Sequence, residues 1–247
     1  MLHGGIFVTG TDTGVGKTVV TAALCKVMTA VKIRAVPFKP VQTGAPLTEG
    51  GFFREDLAFY RRNLEIDLPD DWLSPVCYEA PLAPAVAAAL SDQPVDLDVL
   101  DQFLWRLANR CDMVLVEGAG GLAVPLTTPD FTMADLACRW RLPLLIVGRA
   151  GLGTINHTVL TVRYAREKGI PLLGIILNGA SVTPDLAEQT SPEMIRRMTG
   201  IPILARLPHM GDISQAGLFA EYCRLLAAQL DIHKLTEEAA RHAIDRP

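Results

Sequence analysis

Six short apolar runs, rich in β-branched residues, punctuate the chain at 6–9, 35–39, 113–117, 144–148, 173–178 and 203–207. Several are apolar at nearly every position, the pattern of strands covered by helices on both faces rather than half-exposed ones. Longer stretches of helical character occupy 18–29, 97–109, 155–168 and 215–230. Strands alternating with helices imply βαβ crossovers, so the expected class is α/β, with a mostly parallel sheet and helices on both faces. Gly169 and Pro171 end the third helix and open the next strand, because one favours a left-handed cap and the other cannot continue a helix. Residues 45–94 are richer in Pro, Gly and charge and show no clear period, which predicts an insertion over the carboxyl edge of the sheet. No repeat or linker divides the chain, so 1–247 is expected to be a single domain, with 234–247 as a peripheral helix or frayed tail.

Composition narrows the classes of function. At 49% hydrophobic and 20% charged residues, the chain lies far from the signature of disorder. A formal net charge of −4 supplies no basic field, so no nucleic-acid partner is expected and any phosphate must be held locally. No apolar run is long enough to span a bilayer and no leader is evident, which makes the cytoplasm the expected location. The five cysteines are widely spaced with no paired motif, and are expected to be buried free thiols.

The chemistry starts at Gly10-Thr11-Asp12-Thr13-Gly14-Val15-Gly16-Lys17-Thr18, between a predicted strand and a predicted helix. Glycines let backbone amides approach phosphate oxygens, and the helix amino terminus favours the anion. Lys17 is expected to reach the β and γ phosphates, and the Thr18 hydroxyl to bind magnesium. The loop departs from the usual spacing, with five residues between Gly10 and Gly16 instead of four, but the Gly-Lys-Thr ending keeps the P-loop NTPase-like reading. A second signal is the apolar strand 113–116 ending on Glu117, followed by Gly118-Ala119-Gly120-Gly121. Ligands of open α/β sheets bind beyond the carboxyl ends of strands, so Glu117 is expected to face the phosphate loop and share a hard cation with Thr18.

Together with Lys39-Pro40-Val41-Gln42-Thr43-Gly44 and Gly151-Leu152-Gly153-Thr154-Ile155-Asn156-His157, these segments resemble the dethiobiotin synthetase family over residues 6–208. The resemblance implies ATP-dependent ring closure of 7,8-diaminononanoate with carbon dioxide, through a carbamate and a carbamic-phosphoric mixed anhydride, with ATP and Mg2+ as the implied cofactors. It implies catalytic roles for Lys39, Lys17 and Thr13, with Thr13, Gly14, Val15, Gly16, Lys17, Thr18 and Glu117 around the nucleotide and Asn178 and Pro208 at the adenine. It further implies that Lys39, Thr43, Gly153, Thr154 and Asn156 bind the substrate, the helix start taking its carboxylate across a homodimer interface. Thr18, Asp56 and Glu117 are implied as metal ligands, with Glu55 as the competing register for Asp56. His157 has no acid partner in the sequence and is expected to pack or hydrogen-bond, and Trp105 and Trp140 are expected in the core.

A different class competes for the same motifs. A switch-type P-loop ATPase, whose nucleotide state controls dimerisation or partner binding, would share the phosphate loop and Glu117. It would leave unexplained the Lys39 to Gly44 segment and the Gly-Leu-Gly-Thr-Ile-Asn helix start. The synthetase domain of a larger amide-forming ligase is a third reading, but no glutamine-supplying domain fits this length.

Overall fold

The computed structural model describes residues 4–213, 215 and 217–242. The chain opens with β1 (Gly4–Gly10), α1 (Lys17–Ala30) and β2 (Ala35–Phe38). The insertion follows: β3 (Val41–Thr43), a hairpin of β4 (Leu47–Thr48) and β5 (Gly51–Phe52), then α2 (Glu55–Asn63), α3 (Asp70–Leu73), β6 (Val76–Tyr78) and α4 (Pro84–Ser91). Next come α5 (Leu97–Ala108), β7 (Met113–Gly121), a hairpin of β8 (Pro125–Thr128) and β9 (Phe131–Thr132), and α6 (Met133–Arg139). The chain continues through β10 (Leu144–Arg149), α7 (Thr154–Glu167), β11 (Leu172–Ala180), α8 (Leu186–Thr199), β12 (Ile203–Pro208), α9 (Leu218–Gln229) and α10 (Ile232–Ala240).

The six predicted strands form one sheet in the order β12-β11-β10-β1-β7-β2, parallel at every pairing. From β1 the chain crosses towards β2, whereas from β10 it crosses towards β11. The crevice beyond the carboxyl ends of β1 and β10 is therefore the switch point of the sheet, where ligands of such folds bind. Successive residues of a strand point to opposite layers. Ile146, Ile175 and Leu177 pack with Val162 of α7 and Ile195 of α8, while Val147 and Ile176 join the main core with Val20 and Leu24 of α1 and Leu226 of α9.

Several expectations change. The last predicted helix begins at Leu218 behind Gly217 instead of at Gln215. Trp140 is 4% exposed, but Trp105 is only half-buried. Cys138 is exposed on α6, while Cys25, Cys77, Cys111 and Cys223 are buried free thiols as expected. The tail is partly a packed helix, with Leu235 and Ala239 of α10 in the core; its last part, 243–247, lies outside the described residues. Helix α8 was not foreseen, and Pro192 inside it explains why: a proline cannot donate to the carbonyl four residues back. That carbonyl belongs to Glu188 and accepts from Nη2 of Arg206 on β12 at 2.9 Å instead. No helix among the described residues is long and apolar enough to cross a membrane.

Helix α6 shows how a local cap couples to tertiary contacts. The backbone amide and hydroxyl of Thr132 both donate to Asp135 Oδ2 at 2.8 Å, and Lys168, which follows α7, donates to Oδ1 at 2.7 Å. Partial burial works against the charged carboxylate, but these donors outweigh it and hold the Asp135 pKa below its usual 3.8. A depressed carboxylate pKa stabilises the fold above the unfolded value and loses that contribution as pH falls through the folded one. Asp135→Ala should therefore cost about 1 kcal/mol at neutral pH. Thermal unfolding of the two proteins should differ at pH 7, and the gap should close as pH falls through the lowered pKa of the folded Asp135 carboxyl; a gap that does not narrow with falling pH would contradict this account.

Candidate active site

The loop from Thr11 to Gly16 joins β1 to α1 at the switch point. It is tied to the sheet by the Thr11 amide, which donates to the Val147 carbonyl at 2.9 Å, and by the buried Val15 side chain, 3% exposed. Gly16 adopts φ 92°, and a β-carbon there would lie 2.1 Å from Nδ2 of Asn178, so conformation and space both demand glycine. The Lys17 side chain folds back over the loop and its ammonium donates to the Asp12 carbonyl at 3.1 Å. A β-carbon on Gly10 would approach that nitrogen to 2.9 Å, which is why the strand ends on glycine. Thr13 and Gly14 are exposed at the loop's tip. Burial, reinforced by the neighbouring Lys39 ammonium and opposed by Glu117, Asp56 and Asp12, brings the Lys17 pKa down to about 8.

Beside the loop lies a cluster of charges. The parallel register sets Phe38 opposite Val116, so Lys39, just beyond the end of β2, lies beside Glu117, which is still within β7 and pairs with Val8 of β1. Lys39 Nζ donates to Glu117 Oε1 at 2.7 Å and to Asp56 Oδ2 at 2.8 Å. The Thr18 hydroxyl lies 2.8 Å from Asp56 Oδ1 and 3.0 Å from Glu117 Oε1, so its single proton can serve either carboxylate. Burial works against the charged form of Lys39, yet Glu117 and Asp56 outweigh it and raise its pKa. Burial likewise opposes the ionised Asp56, but Lys39, Thr18 and Lys17 hold its pKa below the ordinary carboxylate value. Asp56 sits in the first turn of α2, whose exposed amides are covered by Gln42: with its carbonyl oxygen turned towards them, Gln42 accepts from the amides of Glu55 at 2.9 Å and Asp56 at 3.2 Å. The insertion thus does reach over the carboxyl edge of the sheet, and it turns Asp56 inward while Glu55 stays exposed.

On the other side of the loop is a cleft of about 560 Å³ lined by Gly14, Val15, Gly16, Asn178, Pro208 and Tyr222. Asn178 donates to the Val15 carbonyl at 2.9 Å and accepts from the Tyr222 hydroxyl at 2.8 Å, which leaves one N–H and one lone pair of its amide for a ligand. A larger groove of about 650 Å³ borders Gly44 and offers only Glu79 as a charged group, so it lacks the cations a polyphosphate needs. Thr43 ends β3 beside Gly44. Gly153 caps α7, Thr154 opens it and is buried, and Asn156 and His157 are exposed. None of Gly153, Thr154 and Asn156 lines the nucleotide-sized cleft.

Sequence reasoning missed two buried phenols and an arginine. Tyr60 donates to Glu117 Oε2, and burial together with Glu117 and Asp56 pushes its pKa up, so it stays a neutral donor. Its place four residues after Asp56 on α2 was the available signal, since such pairs share a helix face. Tyr222 had no signal near it in sequence. Arg149, the last residue of β10, reaches the Thr13 carbonyl at 3.4 Å and adds a cation at the lip of the cleft.

The donors fit a magnesium nucleotide. Thr18, Asp56 and Glu117 offer only oxygens, the preference of a hard cation. Among the described residues no group of three or more His, Cys, Asp or Glu side chains could cage a metal. The phosphate loop, Lys17 and this donor set at the switch point of a parallel sheet define a P-loop nucleotide-binding protein.

The family described as AAA domain matches residues 4–216. Solved structures share the fold at low identity. One is a ParA family ATPase from Chlorobium tepidum TLS (TM-score 0.54, 17% identical, 98% of each chain). Another is the septum site-determining protein MinD of Pyrococcus horikoshii OT3, complexed with Mg-ADP (TM-score 0.52, 19% identical, 95% of this chain and 94% of that one). Closer relatives narrow the class. The chain is 43% identical to the ATP-dependent dethiobiotin synthetase BioD of Anoxybacillus flavithermus (strain DSM 21510 / WK1), over 85% of this chain and 94% of that protein. It is 46% identical to that of Anaeromyxobacter sp. (strain Fw109-5), over 87% and 94%, and 37% identical to that of Bacillus subtilis (strain 168), over 85% and 90%. The chain belongs to the ATP-dependent dethiobiotin synthetase family.

Two outcomes follow for Lys17. Lys17→Ala should weaken ADP binding roughly ten- to hundredfold, the loss of one charge-assisted hydrogen bond, while the melting temperature holds; calorimetric titration with near-normal affinity would contradict the assignment. Because a polyphosphate favours the ammonium, binding raises a pKa that starts at about 8, so the wild-type protein should take up protons when it binds ADP at about pH 8.5 and bind less tightly as pH climbs further. Titrations in two buffers of different ionisation enthalpy measure that uptake, and the Lys17→Ala variant should lack it.

Proposed function

We propose that this protein catalyses the carboxylation and ring closure of 7,8-diaminononanoate with carbon dioxide, yielding dethiobiotin, ADP and phosphate. The observation that carries this reading is the Lys39 ammonium, buried between Glu117 and Asp56 at 2.7 and 2.8 Å and close enough to Lys17 to lower its pKa. Two cations flanking one metal-type donor set suit transfer of a phosphoryl group between two anions, ATP and a carbamate, better than transfer to water. One substrate amine attacks carbon dioxide, loses a proton and becomes a carbamate. A carbamate oxygen then attacks the γ-phosphorus as the bond to the bridging oxygen of ADP breaks, giving the mixed anhydride. The second amine attacks the carbonyl carbon, closes the cyclic urea and expels phosphate. Bound magnesium, which Thr18, Asp56 and Glu117 would hold, would neutralise negative charge on the transferring phosphoryl group.

In this reading Lys17 and the amides from Thr13 to Gly16 hold the polyphosphate, Asn178 and Pro208 meet the adenine, and Lys39 and Thr43 hold the carbamate end of the substrate. Gly153, Thr154 and Asn156 take the substrate's carboxylate at the amino terminus of α7. They do not line the cleft of their own chain, although Gly151 and Leu152 just before them do, and we read this as a homodimer in which one protomer completes its partner's site. Leu160 of α7, 56% exposed, is apolar surface that such an interface would cover. We also read residues 1–247 as one domain, since the insertion and the sheet share the charged cluster, and place the enzyme in the cytoplasm, where ATP is available.

ATP alone should turn over very slowly, because the γ-phosphoryl acceptor is a substrate carbamate. Phosphate and cyclic urea, followed together with magnesium present, should appear in equal amounts only when diamine and bicarbonate are both added. Phosphate release indifferent to the diamine would favour a switch ATPase instead. Lys39→Gln should depress this coupled rate by about a hundredfold or more while changing ADP affinity little, since its partner is charge that develops during transfer. Sedimentation should show a dimer of the 26.7 kDa chain; a fully active monomer would remove the cross-subunit carboxylate site.

A further inference from the structure

Glu117 is 1% exposed, and its two oxygens are not equivalent. Oε1 accepts from Lys39 at 2.7 Å and from Thr18 at 3.0 Å, whereas Oε2 accepts from Tyr60. The terminal torsion of a glutamate is broad and nearly two-fold, so contacts to one oxygen do not fix the plane of the carboxylate; a donor on the second oxygen does. Tyr60 is fully buried, and its ring packs in the main core, so the hydroxyl itself has little freedom. It stands one helical turn beyond Asp56 on α2, on the face that also turns Asp56 towards Thr18 and Lys39. Docking of this one helix therefore brings in one carboxylate and the phenol that orients the other.

We propose that Tyr60 is a positioning residue: its hydroxyl ties down Oε2 of Glu117 so that Oε1 alone faces the cation, Thr18 and Lys39. The proposal rests on Glu117 being a magnesium ligand. Its chemistry is that of groups behind a ligating side chain, which fix the ligand's orientation and whose loss typically weakens metal affinity. A buried tyrosine that merely satisfied its hydroxyl would contribute to stability and leave the metal untouched.

The test compares wild-type protein, Tyr60→Phe, Glu117→Gln and the double variant, with Mn2+ as the paramagnetic stand-in for magnesium. Mn2+ binding to each protein's ADP complex is read by electron paramagnetic resonance, ADP binding in EDTA by calorimetry, and folding by thermal melts. Tyr60→Phe keeps the ring and should weaken Mn2+ binding by about tenfold, with ADP affinity in EDTA unchanged. In the Glu117→Gln background the same change should cost nothing further, because its target is gone. Unaltered Mn2+ binding in Tyr60→Phe, while Glu117→Gln weakens it, would overturn the proposal and leave Glu117 as a ligand. Equal losses in both backgrounds would also overturn it, since Tyr60 would then act through something else. Should Glu117→Gln itself leave Mn2+ binding unchanged, the metal reading of Glu117 fails and the role of Tyr60 fails with it. If Tyr60→Phe melts below the working temperature, the comparison is made at a lower one where all four proteins are folded, with the same outcomes.

Discussion

An ammonium buried between two carboxylates is the constraint around which this molecule is arranged. Lys39 and Glu117 are 6% and 1% exposed, and each ion taken out of water costs several kcal/mol unless its partners are in place. The partners come from four separated stretches: Thr18 from α1, Lys39 beyond β2, Asp56 from the insertion and Glu117 from β7. They meet only if β2 and β7 pair in the parallel register that sets Phe38 against Val116. A slip of one residue would turn Lys39 or Glu117 to the opposite face of the sheet. The apolar strands, covered on both faces, hold that register, and so the core serves the site directly.

The same constraint explains the insertion. Residues between β2 and α5 add little to the central sheet, whose strands all come from elsewhere in the chain. Their contribution is α2, which carries Asp56 and Tyr60 on one face and has its amino terminus covered by Gln42. A helix end closed by a side chain from another element is set in place by tertiary contacts more than by its own sequence. The likeness to solved ATPases at 17–19% identity describes the sheet and its layers, which many chemistries share. The synthetase reading comes from closer relatives and from the cluster that this helix completes.

The nucleotide side of the site follows another logic. Gly16 has to be glycine because of a residue more than 160 positions away in sequence, Asn178, whose amide would meet any β-carbon there. Asn178 is in turn held by Tyr222 on α9, so the cleft beside the phosphate loop is framed by β11 and α9 together. Covering of the loop by late elements of the chain makes nucleotide binding depend on completion of the whole sheet.

The parallel α/β class, the six strands of the sheet and the phosphate loop were legible along the chain, because continuous apolar runs and a Gly-Lys-Thr helix start depend on local chemistry. Glu117 stood out in the same way as a strand-end carboxylate, and the family resemblance added Lys39 and Asp56. Helix α8 stayed unread, since Pro192 breaks the local rule and only the distant Arg206 answers the freed carbonyl. The insertion was unread because elements of two to nine residues are too short for a period to emerge. Which of Glu55 and Asp56 turns inward, which oxygen of Glu117 faces the cluster, and which phenols stand behind Glu117 and Asn178 emerge only when the folded elements meet. Those choices depend on contacts between residues tens to more than a hundred positions apart, and a pattern along the chain carries no record of distance across it.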